Sequence, residues 1–128
     1  FAAAQAMDDA LIAVLDAKYH YNLWRPVTAI RNGDRDDNPA TEIEPGWQPL
    51  IDNPPHPEYP SAHSVLAGAL GELLKAEVGS GRLPELATSS PTAGGSTRRW
   101  TSIDAFVQEV ASSRVWAGIH YRHSTEVG

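Results

Sequence analysis

Three islands of this chain carry residues able to grip an anion: Lys18 with Arg25-Pro26, then Pro60-Ser61-Ala62-His63, then Ser113-Arg114 with His120. Lys18, Arg25 and Arg114 are cations at neutral pH, His63 and His120 bring imidazoles, and Ser61 brings a hydroxyl. None of the islands contains a carboxylate. A donor set of this kind suits a tetrahedral oxyanion such as phosphate or vanadate. Arg114 offers a planar fork that matches such an anion. His120 offers a ring nitrogen able to bond to phosphorus or to coordinate a metal.

The elements around the islands are helical. Met7, Leu11, Ile12, Val14 and Leu15 recur at helical spacing, which predicts a helix over residues 2–24. Lys18 and Arg25, seven residues apart, would then project from one face of it, where two like charges are best explained by an anion between them. Pro26 stops or kinks that helix and opens a short one to Arg31. Prolines 39, 45, 49, 54, 55, 57 and 60 make residues 34–60 an extended loop, long enough to expect a functional role.

A helix over 62–78 follows from the apolar stripe Val65, Leu66, Ala69, Leu70, Leu73 and Leu74, with Gly68 and Gly71 permitting close packing. Ser61 stands at its N-terminus. There it can cap the helix, or it can present its hydroxyl beside the free amide of Ala62. Residues 79–100 are rich in Gly, Ser, Thr and Pro and read as a loop, and 103–127 return to helix, capped by Thr101 or Ser102. No alternating strand pattern of any length is present, so the fold class is all-α. Arg114 and His120 are six residues apart, a poor match for one face of a continuous helix. The helix must kink or restart near Gly118, or Arg114 must reach around it.

The bulk composition narrows the function classes. The formal charge of −6 disfavours nucleic acid, although a local pocket of cations can still focus small anions. The absence of cysteine excludes disulfides and thiol chemistry. No stretch reaches the roughly 20 apolar residues of a membrane span. One domain over residues 1–128 is expected. With Phe1 at its start and Gly128 only eight residues past His120, it reads as an incomplete portion of a bundle, completed by a further segment, a partner surface or a homo-oligomer.

In their order and internal spacing the islands resemble the signature of the type 2 phosphatidic acid phosphatase and vanadium-dependent haloperoxidase superfamily: Lys-x6-Arg-Pro, Pro-Ser-Gly-His and Ser-Arg-x5-His. The likeness spans residues 18–120. His56-Pro57-Glu58-Tyr59-Pro60-Ser61 and Trp116-Ala117-Gly118-Ile119-His120-Tyr121 resemble the soluble, bacterial haloperoxidase-like branch. The resemblance implies a helical bundle of the haloperoxidase/acid phosphatase type with vanadate as cofactor, and hydrogen peroxide and halide as small-molecule partners. It implies that Lys18, Arg25, Ser61, Ala62, Arg114 and His120 bind the oxyanion, with His120 on vanadium. It further implies His63 as acid–base, Lys18 polarising the peroxide, His56 tuning halide choice, and a metal that acts as a Lewis acid without redox change. In the phosphatase form of the family the same site holds phosphate, and His120 forms a phosphohistidine. A non-catalytic phosphate-binding fragment is a third reading. A secreted or periplasmic location is the family's expectation.

The chain departs from the family pattern at two positions. Ala62 replaces the usual Gly. Ser124 stands four residues after His120, where the phosphatases usually carry an Asp that orients the histidine.

Overall fold

A computed structural model describes residues 1–79 and 85–128. Helices dominate: α1 (Ala2–Tyr21), α2 (Pro26–Arg31), α3 (Ala62–Val78), α4 (Ile103–Trp116) and α5 (Arg122–Val127). The central element is α3, which packs against α1, α4 and α5. Among the described residues no helix is long and apolar enough to cross a membrane.

Residues 79–100, expected as loop, contain a short hairpin, β1 (Leu86–Ser89) pairing antiparallel with β2 (Thr97–Trp100). Residues 80–84 of that expected loop lie outside the described residues. Outward-facing Ser, Thr and Arg hide the alternation on which strand recognition depends, and only Leu86 and Trp100 at the paired ends are partly buried. Trp100 fastens the hairpin to α4. Its indole N–H donates to Glu109 Oε2 at 2.7 Å, and its ring meets Phe106 edge-on at 5.3 Å.

Helix α1 ends three residues before the expected boundary. The residue before a proline is driven out of the helical region, so Arg25 is extended (φ −71°, ψ 157°) ahead of Pro26 at the first position of α2. Upstream, Asn22 takes a left-handed conformation and donates its amide to Lys18 O at 2.8 Å, closing α1. Lys18 and Arg25 therefore sit on either side of a turn and do not share one helical face.

The buried line of α1 runs through Val14 and Lys18, whereas Ile12, expected in the stripe, is 69 % exposed. On α3 the most buried residues are the small ones, Ser64, Ala67 and Gly71. They repeat at helical spacing and bring neighbouring backbones close, while the larger apolar residues flank them. A Cβ on Gly71 would come within 2.8 Å of Val107 Cγ2 on α4, so that close approach requires glycine.

The expected helix over 103–127 breaks after Trp116. Ser102 caps the start of α4, accepting the Ala105 amide at 3.3 Å. At the break, Gly118 takes φ +75° with the Trp47 ring against it. Leu50 donates its amide to Ala117 O at 3.0 Å, tying the proline-rich loop to the same corner. The break redirects the chain so that Arg114, at the end of α4, and His120, before α5, can turn toward one site.

Replacing Gly118 by Ala should destabilise the fold by about 1–3 kcal/mol, because a left-handed φ is costly for an L residue and the added methyl would meet Trp47 at 3.0 Å. Urea unfolding followed by circular dichroism measures the change. Trimming Trp47 in the same variant should recover only part of it, since the backbone strain persists.

Candidate functional site

The proline-rich loop is held from inside by Lys18. This side chain is fully buried, with 0 % exposure, and its ammonium donates to three carbonyls: Pro57 at 3.0 Å, Glu58 at 2.9 Å and Pro60 at 2.6 Å. An ammonium has three protons, and these bonds engage all of them. Lys18 was expected to donate directly to the anion and to polarise peroxide; here its ammonium faces the loop carbonyls. Burial and the neighbouring Arg25 charge lower its pKa to about 8, against the opposing pull of Glu58.

Arg25 is also buried and reaches both the loop and the α4–α5 corner. Its Nε donates to His56 O at 3.0 Å and its Nη1 to Ile119 O at 2.7 Å. Nη1 also approaches His120 Nε2 at 3.4 Å, and Nη2 approaches His56 Nδ1 at 3.2 Å. A guanidinium only donates, so His120 Nε2 is the acceptor in its contact, whereas His56 Nδ1 lies 3.2 Å from both Arg25 Nη2 and the Pro57 carbonyl, and its tautomer decides which of the two it bonds. Burial lowers the Arg25 pKa, with Glu58 opposing that shift and Arg114 adding to it.

The sequence reading missed Glu58. Its carboxylate is fully buried and accepts three hydrogen bonds: from His120 Nδ1 at 2.7 Å, from the Tyr121 amide at 3.0 Å and from the Ser124 hydroxyl at 2.6 Å. Burial pushes this carboxyl up, but the donors at His120, Ser124 and Tyr121 outweigh it and hold it below its ordinary value. The only available signal was an acidic residue alone among prolines next to an island. A surface position explains such a residue equally well until the fold is known.

His120 is 4 % exposed. Burial lowers its pKa, and the charges of Arg25 and Lys18 add to the effect, while Glu58 opposes them. With an acceptor, Glu58, at Nδ1 and a donor, Arg25, at Nε2, the hydrogen bonds place the ring proton on Nδ1 and a lone pair on Nε2.

Ser61 and Ala62 open α3. Ser61 is fully buried and is the helix N-cap; its Oγ lies 3.5 Å from the Ser64 amide, so a capping role is present. Its own amide donates to Ser124 O at 2.9 Å, joining this helix start to α5. Helix geometry leaves the amides of Ala62 and His63 without intrahelical acceptors. Ala62 lies inside α3 and is not among the residues with positive φ, so Ala fits where the resembled family usually has Gly.

The His63 imidazole is exposed. Its pKa is lowered first by desolvation and then by the charges of Arg114, His120, His56 and Lys18. Arg114 Nε is buried and has no hydrogen-bond partner among the described residues. His56 is gripped by Arg25, and its pKa is lowered by partial burial, against the Pro57 carbonyl, with Lys18 and Arg25 adding to the lowering. Arg25 thus touches both His120 and His56, the charges of Arg114, His120 and His56 act on His63 at the start of α3, and Lys18 faces the loop.

Over residues 1–128 the chain matches the family described as VCPO second helical-bundle domain. Among solved structures it resembles the first bacterial vanadium-dependent iodoperoxidase, with 36 % identity and a TM-score of 0.81, covering 98 % of this chain and 28 % of that one. It also resembles the apo and holo forms of a bacterial vanadium-dependent chloroperoxidase, at 23 % and 24 % identity and TM-scores of 0.78. Those two alignments cover 98 % of this chain and 31 % of theirs, and at that identity they bear on the fold alone. The chain thus spans about a third or less of each of these proteins. No curated protein matches it.

The histidines set a pH dependence of stability. His56, His63 and His120 all have pKa values below the ordinary 6.5 in the fold. Below that value the unfolded chain takes up protons that the folded chain refuses, so their contribution is intact above 6.5 and is lost as pH falls toward the folded values. The thermal midpoint should therefore fall on acidification from pH 7 to 5. A His56→Asn/His63→Asn double variant, followed by circular dichroism, should flatten that slope.

Proposed function

Since this chain belongs to the vanadium-haloperoxidase superfamily, as a second helical-bundle domain of the VCPO type, we propose that it forms the oxyanion site of a vanadate-dependent haloperoxidase, an enzyme oxidising halide with hydrogen peroxide. The observation that carries this reading is the approach of Arg25 to His120 Nε2 at 3.4 Å, with the Arg114 charge acting on both Arg25 and His63 at the start of α3. Arg114 Nε, buried without a partner, lacks an acceptor. A site with an unmatched buried guanidinium nitrogen, two free helix amides and a neutral imidazole lone pair fits a tetrahedral oxyanion.

Vanadate would be held by Arg25, Arg114, the Ser61 hydroxyl, the amides of Ala62 and His63, and His120 Nε2. When bound it supplies a Lewis-acidic centre that activates hydrogen peroxide toward halide. The chain's own residues do the rest. The guanidinium groups and amides neutralise negative charge on oxygen in a site partly shielded from water, where such interactions are strong. Lys18 adds a third positive charge from behind the loop. His63, neutral near pH 7 and exposed, is placed to take a proton from an incoming peroxide and return it. His56, fixed by Arg25 at 3.2 Å, lies where it can influence the halide.

The phosphatase reading would use the same His120 Nε2 as a nucleophile, with Nδ1 held by a carboxylate at 2.7 Å. Bromination of monobromodimedone by the apo protein, with and without added vanadate, separates the two. Halide-dependent oxidation restored by vanadate is the expected result; vanadate-inhibited ester hydrolysis, or phosphate binding without turnover, would overturn it.

His120→Ala should abolish the activity while leaving the helical circular dichroism near that of the parent. Arg114→Ala should reduce turnover by about 10²–10³-fold, the usual effect of losing one oxyanion donor. Steady-state kinetics measure both.

A further inference from the structure

We propose that Glu58 is the positioning residue of His120: a carboxylate delivered by the proline-rich loop, fixing the imidazole proton on Nδ1 and leaving Nε2 free to meet the anion. This deepens the oxyanion-site reading and rests on it for the identity of the guest.

The geometry constrains the ring from both sides. Glu58 Oε1 stands 2.7 Å from Nδ1, and the Arg25 guanidinium stands 3.4 Å from Nε2. A carboxylate accepts and a guanidinium donates, so the two together admit one neutral tautomer. Glu58 is itself held in place. Its second oxygen takes the Ser124 hydroxyl at 2.6 Å, its amide donates to Leu23 O at 3.0 Å, and Lys18 grips the carbonyls of Pro57 and Glu58. An acceptor that locks the far nitrogen of a ligating histidine sets the ring orientation and raises the basicity of the near one.

Ser124 makes the role portable. It carries no carboxylate, yet its buried hydroxyl donates to Glu58 Oε2 at 2.6 Å. An acid built at position 124 would therefore enter the space that Glu58 vacates when truncated, within reach of the same ring nitrogen.

The test uses three variants, Glu58→Ala, Glu58→Ala/Ser124→Asp and Glu58→Gln, with two readouts. Long-range proton–nitrogen NMR of the imidazole, on protein without added anion, reports the tautomer of His120. Equilibrium binding of inorganic vanadate reports the site. In the parent, the His120 proton is expected on Nδ1. In Glu58→Ala it should be shared with or moved to Nε2, and vanadate should bind about 10–100-fold more weakly, as for other lost partners of ligating histidines. The double variant should return the proton to Nδ1 and recover most of the affinity. A merely structural role for Glu58 would not be rescued by an acid on α5.

Should Glu58→Ala fail to fold, Glu58→Gln keeps the volume and weakens the acceptor; the His120 proton should then be shared more with Nε2 than in the parent. A parent His120 protonated on Nε2, an unchanged tautomer and affinity in Glu58→Ala, a folded double variant without recovery, or an unchanged tautomer in Glu58→Gln would each overturn the proposal. The NMR readouts need no ligand. If the parent failed to bind vanadate while its tautomer behaved as expected, the oxyanion reading would fall and the positioning of His120 by Glu58 would stand.

Discussion

The structure turns on one buried charge, the Lys18 ammonium, placed where it can satisfy three carbonyls of a loop that has little regular structure of its own. An unpaired ammonium in such a position would be expensive. Three short bonds to Pro57, Glu58 and Pro60 offset that cost and in turn fix the loop. Prolines lack amide donors, so a proline-rich segment has fewer ways to satisfy its carbonyls from within. A cation from the neighbouring helix supplies what the segment cannot. The positions of His56, Glu58 and Ser61 follow from this clamp, since all three lie within a few residues of the carbonyls that it holds.

Charge is then arranged in alternation from the loop to the α4–α5 corner. The Lys18 ammonium lies beside Glu58, Glu58 faces His120, and His120 faces Arg25. The Arg114 charge also raises the cost of the Arg25 charge. One buried carboxylate does not balance three cations. The excess of positive charge is focused at the start of α3, where the helix amides add to it. An acidic protein with a net charge of −6 can thus hold a strongly anion-attracting site.

The helices were readable from local patterning, and the departures have local causes. The end of α1 was overestimated by three residues because Leu23 and Trp24 keep the apolar character while the approach to Pro26 forces an extended backbone. The break at Gly118 answers the spacing problem between Arg114 and His120, and glycine was the visible hint. The hairpin was hidden because two four-residue strands with mostly exposed side chains leave no periodic signature. Ser124 looked like a loss of the group that orients His120. The carboxylate is present but comes from Glu58, 62 residues earlier in the chain.

The sequence by itself determined the all-α class, the three islands and the chemistry that their residue types permit. Residue identity and short-range spacing carry that information, and helix periodicity reads it out. Only the tertiary structure decided which way each group faces: Lys18 into the loop, Arg25 across a turn, Glu58 beneath His120, and Arg114 with a nitrogen left unmatched. Those outcomes depend on contacts between residues 39 to 95 positions apart, which no local pattern encodes, and on burial, which turns an ordinary acidic residue among prolines into the acceptor that fixes a histidine proton.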